Sequence, residues 1–512
     1  MDCRQGELRI GWAQADITPD RPVILAGQFH ARVSEGIMDP VTATAMAVES
    51  DGAPGGHVVM VGCDLASIGN ELRDAVRERV AAADVGLDPN CLFIGATHTH
   101  SAPDARIVPY GMEQCADEYR RLISPDGASA DARRFGMWPD IGIDVMSPAD
   151  YLELAVSRVA DAVVKAWAQR QPSGIAYGLG HAVIGRNRRL TYNDGMSRMY
   201  GKPGTPEFSH VEGYEDHCVY VMTTYDRDQA ITGMVVNVPC PSQVSESIYQ
   251  ISADYWHETR EELRRRFGAD LFILPQCAPA GDQSPHVLIG KRAEERMWRL
   301  KGRDTDQNAP RREIAQKIAD AIGDILPYVE VEIDWSAEFA HIRESLDLPR
   351  RMISERDVEE ALEEARPFTE QYEKLIDEIE RNPEIRNRPR WYVEITKAYR
   401  RMERGKRVRT RLELQQTDPT MPIEVHAVRI GDVAFATNPF ELYLDYAVRI
   451  RELSAATQTF LVQKAGCNGT YLPSRRSIAC GGYGSVPAST DIGPDGGDRL
   501  VEWTVEAINS MW

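Results

Sequence analysis

Two imidazoles lie two residues apart in the stretch Cys91-Leu-Phe-Ile-Gly-Ala-Thr-His98-Thr-His100-Ser-Ala-Pro-Asp104. An apolar run of strand type carries the chain to Thr97 and stops in polar, Pro-marked residues. Strand side chains alternate, so a strand persisting to His100 puts His98 and His100 on one face. Paired imidazoles at the carboxyl end of a strand form half of a metal site, and open α/β sheets bind ligands at such ends. The same pair also reads as two packed histidines hydrogen-bonded to backbone, and spacing alone does not separate the readings.

Other residues of the right type are scattered along the chain. Ser284 sits in Gly281-Asp-Gln-Ser-Pro285, where a serine beside a Gly-Asp pair ordinarily forms a turn. Glu441 follows Asn438-Pro-Phe and opens a helical pattern, a place where a carboxylate also complements the helix dipole. Arg188 stands among Arg186, Asn187 and Arg189, otherwise a solvated basic turn. Tyr471 ends Asn468-Gly-Thr-Tyr, and Tyr483 lies in Gly481-Gly-Tyr-Gly.

Ala15-Asp-Ile-Thr-Pro19 and Gly36-Ile-Met-Asp-Pro40 precede these blocks. Taken in order around Thr97-His-Thr-His-Ser101, the set resembles the neutral/alkaline (non-lysosomal) ceramidase family of zinc amidases. The resemblance spans almost the whole chain, and its most specific part is Thr-His-Thr-His-Ser together with Gly-Asp-x-Ser-Pro. It implies a zinc ion on His98, Glu441 and a tyrosine, either Tyr471 or Tyr483. It also implies that Ser284 acts at the scissile amide, that Arg188 binds the carbonyl or oxyanion, and that His100 is an acid/base or substrate ligand beside the metal.

The family's second zinc histidine is missing. Its place, in Val236-Asn-Val-Pro-Cys-Pro-Ser-Gln243, holds Val238, which cannot bind a metal. Cys240, two residues on, offers a thiolate if Pro239 and Pro241 bend the strand; otherwise it is a small core residue. His217 and His257 are further donors in reach of sequence reasoning, and His30 is a polar residue near a strand end.

Amide hydrolysis by zinc needs a Lewis acid with an open position, a base for the water and a stabiliser of the oxyanion. The expected reaction is therefore hydrolysis of an N-acyl amide, and the expected substrate is small and polar rather than ceramide. An esterase on an acylated carbohydrate and a non-catalytic small-ligand-binding relative are the alternatives.

The chain has 512 residues, 43% hydrophobic and 27% charged, enough for a large core. Its net charge of −19 and lack of a basic block argue against nucleic acid and anionic membranes, and against a polyanion held by bulk charge. No apolar run is long enough to span a bilayer, and the first residues lack a signal-type apolar segment. Nine scattered cysteines without a Cys-x-x-Cys pair suggest reduced thiols. The expectation is a cytoplasmic protein with a small-molecule substrate, with self-association into a homo-oligomer left open.

Alternation over 8–17, 42–48 and 58–64, with a helical stripe over 70–83 before the His-x-His strand, predicts a β–helix–β passage. A loop at about 104–147, a helix over 151–169, strands at 175–184, 218–225 and 231–238, and a helix capped by Ser252 come next. The fold class expected is α/β, with mixed sheet layers flanked by helices in one hydrolase domain over 1–512. Residues 350–410, dense in Glu and Arg, read as an inserted αα-hairpin. Its charge marks either a solvated face or a cap beside the active site. With the last family-like block close to residue 512, the expectation is a chain without the C-terminal sandwich domain of many ceramidases.

Overall fold

Alternation along the first strands sets the layers. Leu8, Ile10 and Trp12 face one core, whereas Ala13 of the same strand faces another. The computed structural model describes residues 6–52, 56–106, 143–303 and 305–512, so most of the loop expected at 104–147 lies outside the described residues. Eight strands, β1 (Leu8–Asp16), β2 (Thr42–Ser50), β3 (His57–Cys63), β4 (Leu92–Ala96), β5 (Gln171–His181), β6 (Cys218–Tyr225), β7 (Ile231–Val238) and β8 (Phe272–Cys277), form one sheet. Their order is β8-β7-β6-β5-β1-β2-β3-β4. The pairs β3/β4 and β7/β8 are parallel and the remaining neighbours antiparallel.

A second sheet holds β9 (Phe339–Pro349), β10 (Thr420–Ile430), β11 (Val433–Thr437) and β12 (Gln458–Val462), in that order, with β11/β12 parallel. β10 and β11 are separate strands because Gly431 adopts φ 62° and turns the chain. The sheets pack face to face through Trp12, Met46, Phe93, Tyr220 and Leu274 on one side and Phe339, Phe435 and Phe460 on the other.

Helices cover the outer face of the eight-stranded sheet. α1 (Asn70–Ala82) and α2 (Pro148–Ala168) lie on β1–β4, where Ala43, Ala45 and Ala47 leave room for close approach. α3 (Tyr255–Phe267) and α4 (Ala309–Val329) cover β6–β8. Asp254, not Ser252, caps α3; the Ser252 hydroxyl is turned to Asp39 at 2.8 Å. The mixed sheet layers flanked by helices are as the sequence predicts.

The acidic, arginine-rich segment departs from the second sheet between two paired strands. β9 and β10 are antiparallel neighbours with Pro349 opposite Thr420, and between those residues run α5 (Glu355–Arg381) and α6 (Tyr392–Thr417). Ser354 and Asp357 form a reciprocal capping box that starts α5, and Pro383 opens the short 3₁₀ turn between the helices. The hairpin expected at 350–410 thus ends at 417. A Cβ on Gly405 of α6 would lie 2.4 Å from Ala365 Cβ and 2.7 Å from Ala361 O of α5.

Helix propensity alone favours Gly405→Ala by up to ~1 kcal/mol. The helix contact opposes it, since overpacking costs ~1–3 kcal/mol. Gly405→Ala is expected to lower the unfolding midpoint and speed proteolysis within 355–417; a raised midpoint would mean that the helices part freely.

Candidate active site

The carboxyl ends of the parallel strands meet at one edge of the sandwich. Ala96 N donates to Lys464 O, Gln463 N to Cys277 O, Ala278 N to Val238 O and Asn438 N to Val462 O. The chains leaving β4, β7, β8, β11 and β12 are thereby held side by side, and those leaving β4, β11 and β12 deliver polar residues to the same cavity.

β4 delivers the histidines, though not as an extended strand. It ends at Ala96, and His98 takes a left-handed φ of 62°. The expected common strand face does not form; the turn instead brings the two rings edge to face at 4.9 Å. His98 Nδ1 donates to Ala66 O at 2.5 Å, which anchors the ring and turns Nε2 toward Glu441. That Nε2 is buried, makes no hydrogen bond among the described residues and lies 3.6 Å from Glu441 Oε2.

β11 and β12 deliver the oxygens. Glu441 pairs in parallel register with Tyr471, and Glu441 N donates to Thr470 O at 3.0 Å. Although burial opposes ionisation, His98, Lys464 and Arg188 hold the Glu441 carboxyl well below the usual range. Arg188 Nη2 sits 3.7 Å from that carboxylate and 3.4 Å from the Tyr471 hydroxyl, donating also to Gly281 O at 2.9 Å. Tyr483 packs edge-on against Tyr471 at 5.7 Å, farther from Glu441 in the stack, so Tyr471 is the tyrosine beside the histidine–glutamate pair.

His100 is fixed at both nitrogens. Nδ1 lies 3.4 Å from Glu246 Oε2 and Nε2 meets the Gln243 amide nitrogen at 2.8 Å. Burial lowers its pKa to about 4. Glu246 also contacts His286 at 3.1 Å, and these two histidines hold it ionised although burial opposes this. The loop before β2 closes over the ring: Gly27 has φ 99°, and a Cβ there would lie 2.4 Å from His100 Cγ. Arg32, fully buried, donates to the carbonyls of Ala26, His100 and Ile248 and so ties loop to ring.

Two sequence candidates lie elsewhere. Cys240 does not reach the cavity: its amide closes a tight turn on Val238 O, and Sγ points into the core beneath α3 toward Ile184 O at 3.6 Å. The prolines do bend the chain, but the bend aims the sulfur inward, where burial pushes the thiol pKa up and disfavours a thiolate. Val238 faces the same core, so the segment after β7 contributes Gln243 instead. Ser284 is fully buried in a two-residue pairing with Arg186, its Oγ accepting from His286 N at 3.3 Å, and it does not line the cavity. Its neighbours Gly281 and Asp282 hold Arg188 through their carbonyls. His30, His217 and His257 do not line the cavity either.

The cavity over the site has a volume of about 170 Å³. His98, His100, Glu441, Tyr471 and Tyr483 form its floor, and α6 roofs it. Among the described residues no cluster of three or more His, Cys, Asp or Glu side chains could hold a metal. His98, Glu441 and Tyr471 nevertheless fit one, with the third donor a phenol oxygen. What fits them to it is the buried Nε2, without a hydrogen bond and 3.6 Å from Glu441, of a histidine whose other nitrogen is anchored to a carbonyl, as metal-binding histidines are.

Two solved structures share this architecture. A crystal structure of neutral ceramidase from Pseudomonas aeruginosa matches with TM-score 0.67 and 18% identity, covering 99% of this chain and 75% of the other. A structure described as ceramidase complexed with C2 matches with TM-score 0.65 and 16% identity, covering 98% and 74%. The chain has a ceramidase-like fold. No family model and no curated protein matches the sequence. Among the described residues no helix is long and apolar enough to cross a membrane.

Gly27→Ala is expected to lose about 1–3 kcal/mol of stability, from a side chain at positive φ pressed on the His100 ring. Denaturant unfolding reads this, and an unchanged midpoint would show that the loop moves freely away from His100.

Proposed function

We propose that this ceramidase-like chain is a metal-dependent hydrolase cleaving the carbon–nitrogen bond of a small polar N-acyl amide. The observation that supports it most is His98, whose Nε2 is bare and buried beside Glu441 and Tyr471 at the cavity floor. Those three residues would hold the metal, zinc by the chemistry of a nitrogen and oxygen donor set. When bound, the ion would supply Lewis acidity toward the substrate carbonyl.

The chain's own groups divide the remaining work. His100 lines the cavity with Nδ1 oriented on Glu246, and its Nε2, which accepts from the Gln243 amide, becomes a base steered by a carboxylate once that amide turns to the substrate. His100 takes a proton from the attacking water and returns it to the departing nitrogen. Arg188 lies behind Tyr471 and Glu441 and acts through them, its fixed positive charge offsetting the carboxylate and the charge developing at the carbonyl oxygen. A cavity of about 170 Å³ favours a short acyl amide over a two-chain lipid, because pockets for drug-sized ligands run to ~300–1,000 Å³.

Elemental analysis of the purified chain is expected to find about one zinc per chain, lost in His98→Ala while far-UV circular dichroism stays unchanged. Full metal content in that variant would end the assignment. His100→Ala should keep the metal and lose about 10²–10⁴-fold in kcat on a cleaved N-acyl amide; a loss within a few-fold would remove His100 from proton transfer.

A further inference from the structure

The loop after β7 and the segment after Ser284 meet behind His100 at one carboxylate. Glu246 Oε2 lies 3.4 Å from His100 Nδ1, and Glu246 Oε1 lies 3.1 Å from His286 Nε2. His100 Nδ1 is buried and makes no hydrogen bond among the described residues, so Glu246 is the acceptor that faces it. Hydrogen bonds of this kind are often long in the free protein and tighten when substrate binds. Whatever fixes the carboxylate therefore fixes the aim of the ring.

The main chain at Glu246 is pinned. Ser245 N donates to Asp254 Oδ2 at 2.6 Å, Ser245 O accepts from Ser101 Oγ at 2.8 Å, and Glu246 O accepts from Gln28 Nε2 at 3.0 Å. The side chain is not pinned by these bonds, and a glutamate keeps several rotatable bonds whose ordering costs entropy. Among the described residues its carboxylate meets two groups at hydrogen-bond or ion-pair distance, His100 and His286. With His286 gone, His100 alone would have to order the group that orders it.

His286 is well placed to be the fixed end. Its backbone N donates to Ser284 Oγ at 3.3 Å, and its ring stands edge-on to Tyr200 at 5.6 Å. Gln283 and Ser284 pair with Asn187 and Arg186, next to Arg188, and the Tyr200 hydroxyl accepts from Arg188 Nη1 at 2.8 Å. The ring that meets Glu246 is thus mounted on the strand pair that carries Arg188. A carboxylate oxygen only accepts, so His286 Nε2 is the donor of that contact.

We propose that His286 is a positioning residue for His100: its Nε2–H holds the Glu246 carboxylate in line with His100 Nδ1, and Ser284 seats its backbone. What the orientation serves rests on the hydrolase reading, whereas the orientation itself stands on these contacts. It also gives Ser284, which does not line the cavity, a part behind it. Donation and ring packing can be separated. Phenylalanine at 286 keeps a ring against Tyr200 and loses the donor, while glutamine keeps a side-chain N–H and loses the ring.

The first test needs no substrate. In full-length protein carrying isotope-labelled histidine, the His100 Nδ1–H resonance is assigned by its loss in His100→Ala. A downfield, hydrogen-bonded position is expected for it in the wild type. His286→Phe should move it upfield or lose it to exchange with water, and His286→Gln should leave it in place. A wild type without the signal overturns the proposal, as does an unmoved signal in folded His286→Phe or the same loss in both variants. Should His286→Phe not fold, His286→Ala, which also lacks the donor, takes its place.

The second test is kinetic. On a cleaved N-acyl amide, His286→Phe should lose about tenfold or more in kcat, with KM within about twofold and metal content unchanged. His286→Gln should recover most of that loss. In the His100→Ala background, His286→Phe should cost nothing further, because its effect passes through His100. An unchanged kcat in His286→Phe, or a full additional loss in that background, overturns the proposal while leaving the hydrolase intact. A resonance that moves as expected with no amide cleaved keeps the hold on His100 and overturns the hydrolase.

Discussion

One buried amide holds the site together. Gln463, at the exit of β12, accepts through Oε1 from Ala280 N at 3.2 Å and from Leu442 N at 3.0 Å. Its own backbone amide donates to Cys277 O. Leu442 adjoins Glu441, and Ala280 precedes Gly281, whose carbonyl holds Arg188. A single side chain therefore fixes the carboxylate and the arginine that faces it, although they lie more than 250 residues apart in sequence. Losing that acceptor would strand two buried N–H donors, each at a cost of about 1–3 kcal/mol. The distance between Glu441 and Arg188 is set from behind, by backbone, and not by their mutual attraction.

That indirect support explains why the site uses turns where the sequence suggests strands. The alternation of β1, β2 and β3 and the β3–helix–β4 passage are legible from apolar spacing, a local pattern that burial enforces, and the hairpin of α5 and α6 is legible from its run of Glu and Arg. The direction of a side chain after the last strand residue is not local. Thr97-His98-Thr99-His100 continues the strand pattern on paper, but His98 must turn into the left-handed region for Nδ1 to find Ala66 O. The pairing of the two imidazoles survives because the turn closes the gap that alternation would otherwise have closed.

Cys240 fails for the opposite reason. Nearness in sequence to Val238 marks it as a replacement donor, and the flanking prolines do bend the chain, yet nothing in the sequence gives the sense of the bend. Tyr255 OH takes Cys240 O at 2.6 Å and seats the turn against α3, so the sulfur goes inward. Gln243, Glu246, Arg32 and Gln463 carry no local signature at all; they are ordinary polar residues until tertiary contacts bring them to His100 and Glu441. Arg400, Arg404, Arg407 and Arg411 of α6, which line the cavity, are an intermediate case. Their four-three-four spacing is visible in the sequence, but a charged helix face looks the same whether water or a cavity lies beneath it.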